Sequence, residues 1–299
     1  MTAPTLQDLL GMLRAGRIPT HAPVAEQRTF FDGLMEGINA AASLGGVTIT
    51  DWNAPRSRGL RFAPAAPGAR TVLYFHSGGH VVGSPHGHRA HTTALALAGH
   101  ATVISVRYAL APEAPFPRGF DDALNAYEDV LNSGVAAAQV CLVGVSAGGG
   151  LVLGLLLAAR ARGLPLPAGA CLLSSWHDLA LSGASMQSCE AVDAVLSAPM
   201  LRDWARLLVG DDGSRDPRLD PLSADMRGLP PLLIQVGSDE VLLDDSLRLA
   251  ALAARARVDV SLRVWPNMPH AWQLLAPVLL QGRLGVDEMA AFLRQRLGD

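Results

Sequence analysis

A serine flanked by glycines constrains the fold of this chain more than any other feature. Ser146 lies in a Gly-X-Ser-X-Gly sequence between an apolar run at 140–143 and a second apolar run, 151–159, that is rich in helix formers. This order predicts a strand, a sharp turn and a helix, with glycines where two backbone segments leave no room for a Cβ atom. The turn places the Ser146 hydroxyl at the carboxyl end of the strand, beside the helix N-terminus. We therefore interpret Ser146 as a candidate nucleophile.

Composition and charge narrow the class of protein. Of 299 residues, 49% are hydrophobic, which allows one large buried core, and no apolar run is long enough for a transmembrane helix. The net charge of −3 provides no basic surface for nucleic acid or an anionic membrane. Residues 1–17 lack the apolar core of a signal peptide, and Cys141, Cys171 and Cys189 are typical of a reducing compartment. We expect a cytoplasmic protein.

Apolar runs alternate with amphipathic runs from residue 70 onward. The predicted strands are 71–75, 102–106, 140–143, 170–173, 232–236 and 259–265, and the predicted helices are 89–99, 119–133, 149–162 and 244–256. Two further runs, 46–52 and 58–63, alternate like an antiparallel pair. The pattern predicts an α/β fold with a mostly parallel sheet covered by helices on both faces.

Two segments lie outside this alternation. Residues 1–45 carry helical stripes, and residues 177–226 interrupt the rhythm without a strong strand signal. We expect an N-terminal helical cap segment at 1–45 and a catalytic domain at 46–299 with a cap insertion at about 177–226. The alternative, that this insertion is a long surface loop without a cap function, stays open.

A serine nucleophile needs a histidine base. In the strand–turn–helix arrangement the histidine comes last along the chain, after an aspartate or glutamate. His270 follows the last predicted strand, while His177 follows an earlier one and is the alternative. We expect His270 to accept the proton of Ser146.

The acid that orients the histidine should follow the penultimate strand. Asp239 and Glu240 both lie just beyond the run 232–236, and we prefer Asp239, although a turn or helix-capping role remains an alternative for it. Asp244 and Asp245 come one turn later and are interpreted as first-turn acids of the next helix.

Acyl transfer also creates an oxyanion, which requires fixed hydrogen-bond donors. The first parallel strand ends in a histidine, a serine and the adjacent glycines Gly78 and Gly79, whose N–H groups have no side chain in front of them. We expect donors at Gly78, Gly79 and Ala147. A simple tight turn is the alternative.

These motifs together resemble the hormone-sensitive-lipase-like esterases, bacterial family IV of the α/β-hydrolases. The resemblance rests on stretches spread over most of the chain in family order: 76–79, 107–117, 144–149, 237–240 and 269–272. It implies an eight-stranded sheet, a helical cap, a triad of Ser146, Asp239 and His270, and neither cofactor nor metal. The chain is similar to short-chain carboxylesterases and to monoterpene lactone hydrolases of this family.

The chain departs from the family pattern twice. Ser77 replaces the first glycine of the family's His-Gly-Gly-Gly, so we expect the oxyanion hole to survive with an altered turn. Val145 replaces the acid that usually precedes the nucleophile, which should change local polarity or the pH profile but not the mechanism.

Several other side chains have both a functional and a structural interpretation. His80 is expected at the entrance of the site, and Met200, Trp204 and Trp272 are expected to shape a substrate pocket, with cap core as the alternative. The histidines at 86, 88 and 91 have spacing that suggests a metal, but they lack neighbouring acids or cysteines, so we expect no metal.

The sequence thus predicts a serine carboxylesterase that acts on small esters with short to medium acyl chains. A lactone hydrolase with the same triad is the alternative, and a ligand-binding receptor on the same fold is a hypothesis from another class. Because the run 259–265 could form a sheet edge, a homodimer through this strand is a further hypothesis.

Overall fold

An eight-stranded sheet forms the centre of the molecule in a computed structural model that describes residues 5–19, 21–66, 68, 70–210 and 216–298. The strands are β1 (Val47–Asn53), β2 (Arg58–Pro64), β3 (Thr71–Phe75), β4 (Thr102–Val106), β5 (Val140–Val145), β6 (Gly169–Leu173), β7 (Leu232–Gly237) and β8 (Val260–Trp265). The helices are α1 (Leu6–Ala15), α2 (Val24–Ala40), α3 (Arg89–Gly99), α4 (Arg118–Asn132), α5 (Ala147–Ala161), α6 (Ser185–Ser188), α7 (Ala198–Val209), α8 (Leu243–Arg255) and α9 (Leu280–Leu297).

The order of the strands is β1-β2-β4-β3-β5-β6-β7-β8. β2 pairs antiparallel with β1 and β4, and all other neighbours pair in parallel. Every residue of β3 to β7 is buried, as expected for a sheet covered on both faces. The predicted mostly parallel, eight-stranded sheet is confirmed.

Helices cover the two faces of the sheet. α5 and α9 both contact β5 and β6 without packing extensively on each other, so they lie on opposite faces. α4 packs against α5, and α3 packs against α9. The central strands bring their carboxyl ends to one edge, where the loops after β3, β5, β6 and β7 meet.

The strands and helices predicted from 46 onward agree with the structure within two residues at each end. α1 and α2 both lie in the segment 1–45, for which helical stripes are predicted. α9 is not among the predicted helices, although its buried residues Val286, Met289, Ala290 and Leu293 have helical spacing.

The N-terminal helices contact the segment after β6. Arg14 donates a hydrogen bond to the carbonyl of Val192 at 3.3 Å, and the indole N–H of Trp204 donates to Gln27 Oε1 at 2.8 Å. Within the insertion at 177–226 the described residues form α6, α7, a 3-10 helix at Pro221–Ser223 and irregular chain, and 211–215 lie outside the described residues. No helix in the described ranges has the length and apolarity needed to cross a bilayer.

Candidate active site

The turn between β5 and α5 holds Ser146 in an unusual backbone conformation. Its φ of 55° and ψ of −122° lie in a region that a non-glycine residue adopts at a cost of about 1–3 kcal/mol. The N–H of Ser146 donates to Leu173 at 2.8 Å, and its carbonyl accepts from Trp176 at 3.0 Å. A Cβ atom on Gly148 would lie 2.1 Å from the carbonyl oxygen of Phe75, which explains the glycine. β5, β6 and α5 therefore fix the position of Ser146.

The acid paired with His270 is Glu240. The distance between His270 Nδ1 and Glu240 Oε2 is 2.8 Å, and the Glu240 side chain is completely buried. Because a carboxylate can only accept, the imidazole donates from Nδ1 and keeps Nε2 free to act as a base. The prediction that Asp239 orients His270 is wrong.

The backbone of the loop after β7 explains this correction. The N–H of Asp239 donates to the carbonyl of Met268 at 3.2 Å, and its carboxylate accepts from the neighbouring Ser238 hydroxyl at 2.6 Å. Asp239 is thereby held, only partly buried, at the rim of the loop, while the next residue, Glu240, points inward. Asp244 and Asp245 occupy the first turn of α8, as predicted.

Ser174 fixes the position of Glu240. Its hydroxyl donates to Glu240 Oε1 at 2.8 Å, and the same oxygen accepts from the N–H of Gly237 at 2.5 Å. The Ser174 hydroxyl also accepts from the N–H of Ala271 at 3.1 Å. It therefore joins the acid loop, which follows β7 and carries Glu240, to the loop that follows β8 and carries His270. Ser174 is not among the predicted site residues, although it directly follows β6 at the edge of the sheet where Ser146, Glu240 and His270 lie.

Ser146 and His270 line one cavity. It has a volume of about 70 Å³ and also includes Ser77, Gly78 and Gly79 in its wall. Ser146 and His270 make no hydrogen bond to each other among the contacts of the described residues, which is common for nucleophile and base before substrate binds. Two side chains from distant parts of the chain thus meet at the carboxyl edge of the sheet.

The glycines after β3 form a backbone surface on this cavity. Gly78 and Gly79 have φ values of 124° and 60°, so both adopt backbone conformations that favour glycine. Within the described ranges neither N–H has an acceptor, whereas the Gly78 carbonyl accepts from Val81 and Val82 at 3.0 and 2.9 Å. Ala147 begins α5, where an N–H has no intrahelical acceptor. Three N–H groups are therefore available to a ligand at this end of the sheet.

Ser77, which stands where the family has a glycine, anchors the loop that follows β3. Ser77 Oγ lies 3.0 Å from His88 Nε2, and His88 Nδ1 lies 2.7 Å from the hydroxyl of Tyr74, which also contacts His91 Nδ1 at 2.9 Å. Burial lowers the pKa of His91 to about 4, so this ring is neutral at pH 7. The described residues contain no cluster of three or more His, Cys, Asp or Glu side chains that could hold a metal ion. His88 and His91 serve a hydrogen-bonded network below the loop, and His86 is exposed.

Two of the predicted substrate-binding residues do not reach the cavity. His80 is buried between Phe120 and Trp176, with ring centroids at 5.5 and 6.0 Å, and burial lowers its pKa to about 3. Trp272 is fully buried and packs on Trp265 with ring centroids 5.7 Å apart. The predictions that His80 lines the entrance and that Trp272 shapes the pocket are wrong, because both side chains turn into the core.

Met200 and Trp204 do line the cavity, together with Val195 and Leu196. The indole lies against the loop that follows β3, since a Cβ atom on Gly79 would come within 1.8 Å of Trp204 Cε3. The alternative base, His177, lies outside the cavity wall and contacts the carbonyl of Asp245 through Nε2 at 3.0 Å.

Comparisons with known proteins agree with this geometry. Residues 72–274 match a family described as having the alpha/beta hydrolase fold. The chain is 44% identical over 237 residues to an acetyl-hydrolase from Streptomyces hygroscopicus, and the matched region covers 79% of each chain. It is 34% identical over 236 residues to an esterase from Acinetobacter venetianus, covering 79% of this chain and 78% of the relative.

Solved structures show the same likeness over the whole chain. An esterase from the bacterial hormone-sensitive lipase family superimposes with a TM-score of 0.94 at 33% identity and covers 100% of both chains. A hormone-sensitive lipase homologue from a metagenome library gives a TM-score of 0.92 at 35% identity, with 99% of this chain and all of the other covered. These names give the lactone hydrolase and receptor alternatives no specific support.

Proposed function

Because the chain belongs to the hormone-sensitive-lipase-like esterases of the α/β-hydrolase fold and is a serine carboxylesterase, we propose that Ser146, His270 and Glu240 form its catalytic triad. The observation that carries this assignment is the 2.8 Å contact between His270 Nδ1 and Glu240 Oε2, beside a cavity shared with Ser146. The Nδ1–H group donates to Glu240, so Nε2 is the basic nitrogen.

The mechanism follows from these positions. His270 Nε2 removes the proton of Ser146 as Oγ attacks the ester carbonyl, and the N–H groups of Gly78, Gly79 and Ala147 stabilise the oxyanion. The imidazolium then protonates the leaving alcohol, and water hydrolyses the acyl-enzyme in the same way. Glu240 orients His270 and stabilises the imidazolium, while Ser174 keeps the carboxylate in place.

The cavity favours short acyl chains. Its volume is about 70 Å³, and its wall includes the apolar side chains of Val195, Leu196 and Met200. The Trp204 indole closes the cavity next to Gly79 and is held by its hydrogen bond to Gln27 at 2.8 Å. We propose acetyl to butanoyl esters as substrates, and the acetyl-hydrolase relative supports this range.

Truncating Trp204 should therefore shift the acyl preference. For Trp204→Ala, the ratio of kcat/KM for p-nitrophenyl octanoate to that for p-nitrophenyl acetate should rise about tenfold or more, because two to three methylenes gain an apolar site at about 0.8 kcal/mol each. Trp204→Phe, which keeps a smaller aromatic ring in place, should give a smaller rise. Steady-state kinetics across acyl lengths measures both.

The matched control for this experiment is Leu207→Ala, a truncation on the same helix that does not line the cavity. It should leave the ratio unchanged. An unaltered ratio in folded Trp204→Ala would contradict the proposed role of the indole.

The remaining assignments extend this function. We propose that residues 1–45 and 177–226, the cap segments, together cover the catalytic domain, a proposal supported by the contacts of Arg14 and Gln27 with the insertion. We also propose a cytoplasmic location and a small ester as the binding partner, without nucleic acid or membrane. The three free, buried cysteines in the described part of the chain support the location.

A homodimer through β8 is proposed because this strand lies at the sheet edge. Its outer side has no partner strand in the described chain, and Val264 is 42% exposed. Light scattering at micromolar concentration should give twice the chain mass, and Val264→Lys should lower it to that of a monomer. A monomeric mass for the unmodified protein would contradict this proposal.

A further inference from the structure

A second buried carboxylate lies close to the His270–Glu240 pair. Asp193 belongs to the irregular chain between α6 and α7 in the cap insertion, and it is completely buried. A buried aspartate needs hydrogen bonds to compensate for the water it has lost. Its partners are therefore informative about its role.

The carboxylate of Asp193 joins two loops that line the active site. Its Oδ1 accepts from the N–H groups of Val195 and Leu196, each at 2.8 Å. Its Oδ2 accepts from the N–H of Val241 at 2.8 Å. Val241 directly follows Glu240, and Val195 and Leu196 line the cavity, so one side chain connects the cap to the acid loop.

The charge of Asp193 also acts on the imidazole. Burial raises the pKa of Asp193, and this rise is opposed first by the neighbouring His270 and then by the three backbone N–H groups. Three N–H donors favour the ionised form of a carboxylate. His270 thus lies near two carboxylates, of which Glu240 is in direct contact.

We propose that Asp193 is a positioning residue that ties the Glu240 loop to the cap and adds a second negative charge beside the His270 imidazolium. This inference rests on the proposed triad. It assigns Asp193 no contact with the substrate.

The charged and titratable neighbours make the direction of the electrostatic effect clear. Two carboxylates act on His270: Glu240 through its contact at 2.8 Å, and Asp193 through its charge. Arg17 donates to the main-chain carbonyl of Asp193, and burial raises the pKa of the nearby Cys189 thiol, which stays neutral at pH 7. Removing the Asp193 charge should therefore favour the neutral imidazole.

The test is the pH profile of Asp193→Asn. The acid limb of kcat/KM reports the histidine of the free enzyme. We expect this limb to move by roughly 0.5 to 1 unit toward lower pH, because a negative charge that favours the imidazolium is gone. We also expect kcat to fall roughly 10- to 100-fold, since the amide NH₂ must face either the Val241 N–H or those of Val195 and Leu196 and so loosens the connection between the two loops.

The matched control is Asp244→Asn, which removes a carboxylate of the same region that accepts from the Ser185 N–H at 3.0 Å. Its acid limb should stay in place. If Asp193→Asn does not fold, Asp193→Ser, which keeps one acceptor, replaces it and should shift the limb in the same direction. An unshifted limb in a folded, active variant would overturn the inference, whereas absence of esterase activity in the unmodified protein would instead refute the proposed function.

Discussion

Replacing Ser146 with alanine is expected to lower kcat for p-nitrophenyl acetate by roughly 10⁴- to 10⁶-fold. The hydroxyl is the only nucleophile of the proposed mechanism, and no other serine in the described part of the chain lines the same cavity except Ser77. The Ser77 hydroxyl contacts His88 instead of His270, and we expect it to add no turnover. The residual rate should reflect the oxyanion donors and binding alone.

The measurement combines turnover with covalent labelling. A fluorophosphonate probe should label the unmodified protein once per chain and leave Ser146→Ala unlabelled, while the circular dichroism spectra agree. Ser188→Ala, an exposed serine of the cap insertion, is the matched control and should be labelled and active like the unmodified protein. Labelling of Ser146→Ala at an unchanged rate would show that another residue is the nucleophile.

Replacing Glu240 with glutamine should lower kcat by roughly 10³- to 10⁴-fold, the scale found when the acid of a triad becomes an amide. The glutamine NH₂ can donate to Nδ1 and thereby favour the imidazole tautomer whose proton is on Nε2, facing Ser146. Burial makes this change more severe, because Glu240 accepts from Ser174 and Gly237 as well as from His270.

The neighbouring Asp239→Asn is the matched control, since it makes the same chemical change one residue away. Its kcat should be essentially unchanged, because the Asp239 carboxylate contacts the Ser238 hydroxyl and not the imidazole. The opposite result, a large loss with Asp239→Asn and a small loss with Glu240→Gln, would restore the sequence-based assignment and refute the structural one.

Local sequence patterns and the order of the strands were sufficient to predict the turn at Ser146 and the position of His270. The strand, turn and helix around Ser146 were predictable because the glycines report a close backbone approach, seen between Gly148 and Phe75. His270 was predictable because it follows the last strand, where chain order limits the choice. Both features depend on residues that are near each other along the chain or on the order of the strands.

The choice between Asp239 and Glu240 could not be made in this way. Successive side chains in a loop point in different directions, and the direction here depends on the hydrogen bond from Asp239 to Met268, which is distant in sequence. The positions of His80 and Trp272 depend likewise on which cavity of the core each ring fills. The contact of Asp193 with the N–H of Val241 could not be predicted either, because it joins residues that are distant in sequence, whereas its bond to the N–H of Leu196 is local.

The indole of Trp204, held by Gln27, has a consequence for how this enzyme can diversify. Loops at one edge of the sheet carry the reacting groups, whereas the surface that we propose selects esters by size is built from two stretches far apart along the polypeptide. Mutations in those stretches can alter which esters are accepted without disturbing the chemistry. Trimming the first helices in a shortened variant would remove one support of that surface, so both stretches must be kept when the enzyme is engineered.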